Sequence, residues 1–303
     1  MIVRVAICAA TLGVVTLIAG CTAPNGDGPT SDERIGPGSG SFIFYGAEEI
    51  VGKPIRVWYD APLADLDTAQ ILIVMHGHER DAQAYRDDWA PLTRGRHVLL
   101  LVPEFAADDF SDTAYNLGNM VDSDGEDNPE NRWTFGVIER LYDQVRDTVG
   151  SQAEEYMMFG HSAGAQFVHR FLQFGEPTHL GTAVAANAGW YTMPDDSEDF
   201  PYGLDQTPRD EVDMGRAFET DLVLLLGADD VDPDAQSLRR SESADEQGDH
   251  RLERGLRFYL TGRESARNHD LTFMWRLEAV PGIGHSHSEM AREAAGVLLP
   301  PRP

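Results

Sequence analysis

Five apolar runs constrain the fold of this chain most: ILIVM from Ile71, VLLLV from Val98, YMMF from Tyr156, TAVAA from Thr182 and LVLLL from Leu222. Each is unbroken rather than alternating, as strands buried on both faces of a parallel sheet must be. Helical periodicity fills the gaps. FGVIERLYDQVRDTV sets Val137, Leu141, Val145 and Val149 on one stripe, SAGAQFVHRFLQF repeats the spacing with Phe167 and Phe171, and EMAREAAGVLL comes last. This alternation predicts an α/β fold, a mostly parallel central sheet with helices on both faces. SFIFY and PIRVWYD read as an antiparallel start, and LTFMWRLEAV as the final strand. Two long polar segments dotted with aromatics, 106–131 and 190–217, interrupt the pattern, and insertions of this kind often sit over a site.

The N-terminus is set apart before any fold reasoning. MIVR carries one positive charge, and VAICAATLGVVTLIAG then runs apolar to Gly20, the layout of a secretory signal peptide over 1–20. Leu17-Ile18-Ala19-Gly20-Cys21 resembles the bacterial lipobox, which implies cleavage before Cys21 and lipidation of its thiol. Several acyl chains on one residue hold a protein on a membrane stably. The expected location is therefore extracytoplasmic, in the periplasm or on the cell surface, with a membrane as partner through the lipid. Residues 21–40, rich in Gly, Pro, Ser and Asp, read as a flexible tether. The domain proper is 41–303, ample for one large core. Both cysteines, Cys8 and Cys21, precede it, so it has no disulfide framework.

The chain carries 51 acidic against 24 basic residues, a net charge of −27, and Lys53 is its only lysine. A phosphate backbone would be repelled, so nucleic acid is excluded as an expected partner, and a neutral substrate fits better than an anionic polymer. An acidic, well-solvated surface explains the charge without any functional role.

The sharpest motif lies in EEYMMFGHSAGAQFVHRF, where an apolar strand ends at Gly160 and a helix follows at once. Ser162, in the tight turn between them, is held up and out. Its neighbours two residues away, Gly160 and Gly164, must lack bulk for the turn to close. The helix start presents free N–H groups to developing negative charge. A serine needs a base to act as a nucleophile. Downstream, DLVLLLGADDVDP runs from a strand into an acidic loop, and LTFMWRLEAVPGIGH runs from a strand to His285.

In this Gly-x-Ser-x-Gly elbow, and in the order serine, acid, histidine, the chain resembles the α/β-hydrolase superfamily, and more narrowly secreted esterases akin to polyhydroxyalkanoate depolymerases. The resemblance covers about 43–299. It implies a serine esterase acting on a small neutral ester or a polyester, with no cofactor and no metal. It implies that Ser162 is the nucleophile and His285 the base, with His287 as rival. Asp230, third after Gly227, matches the acid, with Asp232 next. The strand ending in MHGH matches the oxyanion loop, so the N–H groups of His78 and Ala163 would hold the oxyanion while His76 supports the loop. Trp190 and Tyr115, on the two insertions, are candidate pocket residues.

Two other readings stand beside this one. His76 and His78, with His285 and His287, could serve a metal-dependent hydrolase. Here Asp81 falls one position late for the familiar H-x-H-x-D-H spacing and no histidine follows it. The chain could also be a non-catalytic binding protein of the cell envelope built on a hydrolase scaffold.

Overall fold

The computed structural model describes residues 35–209 and 212–301. The signal peptide, the lipidation residue Cys21 and most of the tether lie outside the described residues. Eight strands form one sheet: β1 (Gly38–Phe44), β2 (Ile55–Ala61), β3 (Gln70–Met75), β4 (Val98–Glu104), β5 (Tyr156–His161), β6 (Leu180–Ala186), β7 (Asp221–Gly227) and β8 (Arg276–Val280). Their order across the sheet is β1-β2-β4-β3-β5-β6-β7-β8. β1 and β2, then β2 and β4, pair antiparallel, and all later pairs are parallel. The helices are α1 (Glu48–Val51), α2 (Ala82–Thr93), α3 (Asp112–Asn116), α4 (Phe135–Val149), α5 (Ala163–Phe174), α6 (Met214–Glu219), α7 (Glu242–Glu246), α8 (Arg251–Asn268) and α9 (His287–Leu298).

The unbroken apolar runs are explained by what covers them. Ile71, Ile73 and Met75 of β3 face a core shared with Val137 and Leu141 of α4 and Phe167 and Phe171 of α5. Leu72 and Val74, between them, face a second core shared with Trp89 of α2 and Met290 and Leu298 of α9. β7 divides the same way, Leu222 and Leu224 to one side, Val223 and Leu225 to the other. Successive side chains of a strand point to opposite faces, so two buried faces require a continuous run. Each such side chain contributes about 1.5–3 kcal/mol of burial.

Three details differ from the sequence reading. The segment read as tether to Gly40 overlaps β1, whose pairing already begins at Gly38: Gly38 lies opposite Ala61, and Gly40 opposite Tyr59. A β-carbon on Gly40 would collide with the Tyr59 ring, so the glycine belongs to the pairing. The last strand is short, since residues 271–275 leave the sheet and Trp275 Nε1 donates instead to the Ala217 carbonyl at 2.8 Å. Finally, α5 is buried on every face rather than along one stripe. The insertions account for that: Arg170 of α5 donates to the Asn116 carbonyl in one insertion and to Thr192 Oγ1 in the other.

Candidate active site

The turn from β5 to α5 carries Ser162 with φ 57° and ψ −113°, a left-handed backbone that a residue with a β-carbon rarely adopts. The surroundings enforce it. A β-carbon on Gly160 would strike the Gly164 carbonyl, and one on Gly164 would strike the carbonyl of Met75 in β3. Only glycines let strand, turn and helix approach this closely. The Ser162 N–H donates to the Ala186 carbonyl at 2.9 Å, which ties the turn to β6.

His285 and Asp230 reach Ser162 from the ends of β8 and β7. His285 Nε2 lies 3.1 Å from Ser162 Oγ, and His285 Nδ1 lies 2.7 Å from Asp230 Oδ2. The two loops are stitched together beneath this row: the N–H of Ala228 donates to Val280, and that of Asp229 to Ile283, each at 2.9 Å. Gly227 makes the approach possible, since a β-carbon there would strike the Ile283 carbonyl. Asp230 is 4 % exposed. Its rival Asp232 is exposed and accepts from the Asp234 N–H at 2.9 Å within its own loop.

The four histidines of the two pairs part company. His76 is fully buried. Its Nε2 accepts from the Phe105 N–H at 3.0 Å, so Nδ1 carries the proton and donates to the Gly77 carbonyl at 3.1 Å. Burial, opposed by the bond to Gly77, pushes its pKa down to about 3, so the ring is neutral. That bond has a consequence across the peptide plane. Carbonyl and N–H of a trans peptide point in opposite directions, so fixing the Gly77 oxygen toward His76 turns the His78 N–H away from it. Among the described residues no acceptor takes the His78 N–H or the Ala163 N–H, the latter being the first of α5 and without an intrahelical partner. The His78 side chain is exposed, 3.9 Å from Asp112. His287 stacks on Tyr85 at 4.5 Å and sits 2.8 Å from Asp88 Oδ2, too misaligned to form a hydrogen bond. Among the described residues no group of three or more His, Cys, Asp or Glu side chains is placed to hold a metal ion.

Ser162, Ala163 and His78 open on one cavity of about 350 Å³, which is also lined by Gln166 and Trp190. Both insertions contribute to its wall, the first through Asp112, Asn116 and Leu117, the second through Trp190. Tyr115 corrects the sequence reading. It is fully buried, stacked on His76 at 4.7 Å, and donates its hydroxyl to the His76 carbonyl at 2.7 Å. It is a prop beneath the loop and not part of the pocket lining.

Three residues that the sequence reading passed over belong to this site. Arg251, the first residue of α8, is 2 % exposed and donates to Asp230 Oδ1 at 3.4 Å and to Ser237 Oγ at 2.9 Å. Asn187, after β6, accepts from the Gly227 N–H at 2.8 Å and donates to the Gly284 carbonyl at 3.0 Å, fastening the loop of Asp230 to the loop of His285. His161, inside the elbow, bonds Tyr85 through Nδ1 at 3.1 Å and packs 4.6 Å from the His285 ring. Burial and then His285 hold its pKa well below the usual histidine value. An asparagine at a strand end, where it tolerates a positive φ, was the one signal available for Asn187, whose φ is 51°.

The fold resembles solved structures closely. Poly(aspartic acid) hydrolase-1 from Sphingomonas sp. KT-1 aligns over 87 % of this chain and 99 % of its own, at 41 % identity and a TM-score of 0.82. LpqC, a poly(3-hydroxybutyrate) depolymerase from Bordetella parapertussis, aligns over 86 % and 89 % at 28 % identity and a TM-score of 0.80. An S-formylglutathione hydrolase from Agrobacterium tumefaciens, at 14 % identity and a TM-score of 0.51, shares the fold alone. No family model matches the chain, and comparison with curated proteins finds no match.

Proposed function

The chain belongs to the α/β-hydrolase esterase family and is a hydrolase of that type, and within that family we propose a carboxylic ester hydrolase working by a Ser162–His285–Asp230 triad. Ser162 Oγ attacks the acyl carbonyl while His285 Nε2 takes its proton. Asp230, accepting from His285 Nδ1, orients the ring and stabilises the imidazolium. The N–H groups of Ala163 and His78 receive the oxyanion. His285 returns the proton to the departing alcohol, leaving an acyl-enzyme. Water, deprotonated by the same ring, then releases the acid and frees Ser162.

One observation carries this reading: the unbroken row from Ser162 Oγ through His285 to Asp230, at 3.1 and 2.7 Å, on a strained elbow that opens on a cavity. The relatives' named substrates, poly(aspartic acid) and poly(3-hydroxybutyrate), are polymers of short acids. Poly(aspartic acid) is joined by amide bonds and poly(3-hydroxybutyrate) by ester bonds, so it is the second that supports an ester or polyester of short acyl units here, which suits a cavity at the small end of ligand pockets. A stopped-time assay with 4-nitrophenyl acetate tests the proposal. The expected result is a burst of 4-nitrophenol with an acetyl group on the Ser162 peptide. Turnover with no burst and no acylated peptide under rapid acid quench, where deacylation is slowed, would reject the acyl-enzyme.

The proposal extends to the envelope. The Leu17–Cys21 motif supports a lipid on Cys21 that holds the hydrolase to a membrane. Cys21→Ala should release the protein into the soluble fraction, and an N-terminal peptide of unmodified mass from the membrane fraction would contradict the proposal.

A further inference from the structure

The cavity beside Ser162 holds one carboxylate, Asp112, and Arg80 pairs with it at 3.0 Å. Arg239 lines that cavity. Its guanidinium lies over the Trp190 ring at 5.0 Å and over the Tyr202 ring at 5.6 Å. Its Nε donates to the Tyr202 hydroxyl at 2.6 Å, and that hydroxyl is itself 2.7 Å from Ser241 Oγ. The fork is thus held in one plane, with its two terminal nitrogens unpartnered among the described residues. Its neighbour Arg240 pairs with Asp245 at 3.3 Å, whereas Arg239 has no carboxylate within ion-pair distance.

A second cation reinforces it. Arg170 covers Trp190 at 4.2 Å, is fully buried, and also lacks a carboxylate partner. Its bonds go to Thr192, Asn116 and Gln166, and its Nη2 has none. Burial, and next the charge of Arg239, hold its pKa below the ordinary arginine value. Two like charges therefore bracket one indole, and an anion on the open edge would offset their repulsion. The distant acidic surface is largely screened at physiological salt, whereas contacts within the cavity are not.

We propose that Arg239, fixed on Trp190, is the subsite for a carboxylate carried by the acyl part of the substrate. The inference rests on the esterase reading for its orientation: the acyl part stays on Ser162 while the alcohol departs, so the cavity beside Ser162 holds the acyl part. A planar fork with two free N–H edges matches a carboxylate bidentately, where a lysine would offer only a point charge.

The test compares two esters that differ in one charge, mono-4-nitrophenyl adipate and its methyl diester, on the full chain. The kcat/KM ratio of anionic to neutral ester should exceed one and fall about tenfold or more in Arg239→Gln, as expected on losing a charge-assisted pair. Arg239→Lys should keep part of the preference. An unchanged ratio in Arg239→Gln, with both esters still hydrolysed, would overturn the subsite and leave the esterase reading intact. Calorimetric titration of adipate into Ser162→Ala and into Ser162→Ala/Arg239→Gln separates the two claims. Weaker binding in the double variant supports the subsite even if neither ester is turned over, and equal binding, or none in either, overturns it.

Discussion

Arg251 and Asp230 form the one ion pair among the described residues in which both side chains are almost inaccessible, 2 % and 4 % exposed, at 3.4 Å. Asp230 thus divides its carboxylate, one oxygen to His285 and the other to a buried guanidinium. Removing one partner of such a pair leaves an uncompensated buried charge, which costs about 3–5 kcal/mol. Arg251→Met is expected to lose stability on that scale and to lower kcat while KM moves little, since Arg251 does not line the cavity. Urea unfolding and steady-state kinetics read both quantities. A variant as stable and as active as the parent would show that the pair holds nothing in place.

Asn187 makes a second prediction. Its amide joins the Gly227 N–H to the Gly284 carbonyl, hence the loop of Asp230 to the loop of His285. Asn187→Gly keeps the backbone freedom that a φ of 51° demands and deletes both bonds. A small misplacement of base against nucleophile is expected to cost about tenfold to a hundredfold in kcat. Asn187→Asp keeps the acceptor for Gly227 and should fall between. Loss in KM alone would contradict a positioning role.

Gly164→Ala tests the elbow. The added methyl would meet the Met75 carbonyl, so β3, the turn or α5 has to move. Overpacking of a tight core costs about 1–3 kcal/mol, and more where backbone is the obstacle. Thermal unfolding should show a clear loss, with activity lost beyond what the unfolded fraction explains. Gly296, near the end of α9 with open space around it, is the control: Gly296→Ala should leave both unchanged.

How much of this was legible in the sequence follows from physics that acts locally. The strands were legible because two-faced burial leaves unbroken apolar runs, and Ser162 because a strained turn needs glycine on both sides. Asp230 and His285 were expected from the resemblance to the hydrolase order of serine, acid and histidine, with Asp232 and His287 as rivals. Tyr115 was misjudged because an aromatic in a polar insertion reads alike whether it faces a ligand or props a loop, and its bond to the His76 carbonyl is a contact 39 residues away. Arg251 was invisible for the same reason. On a helix rich in charge, nothing local marks the one arginine whose partner lies 21 residues earlier.

The buried histidines set the pH dependence of stability. Burial lowers the pKa of His76, His161 and His169 from the ordinary 6.5, to about 3 for His76. Below about pH 6.5 the unfolded chain takes up protons that the folded chain refuses, so stability is full above that pH and falls as the solution is acidified. Each such histidine adds about 1.4 kcal/mol per pH unit to the slope. His169 is the cleanest probe, since it bonds Ala165 and Thr192 away from the triad. In urea unfolding between pH 6.5 and 4.5, His169→Gln should show a slope shallower by about that amount. Equal slopes would mean that the ring is not held neutral.

The most direct test of the account is covalent labelling of the full chain with a fluorophosphonate, beside Ser162→Ala, each with and without a chelator. The account predicts one phosphonyl group on the Ser162 peptide of the parent protein, none on the variant, and no effect of the chelator. A folded protein that stays unlabelled, or a label that persists in Ser162→Ala, would contradict an activated nucleophile at Ser162.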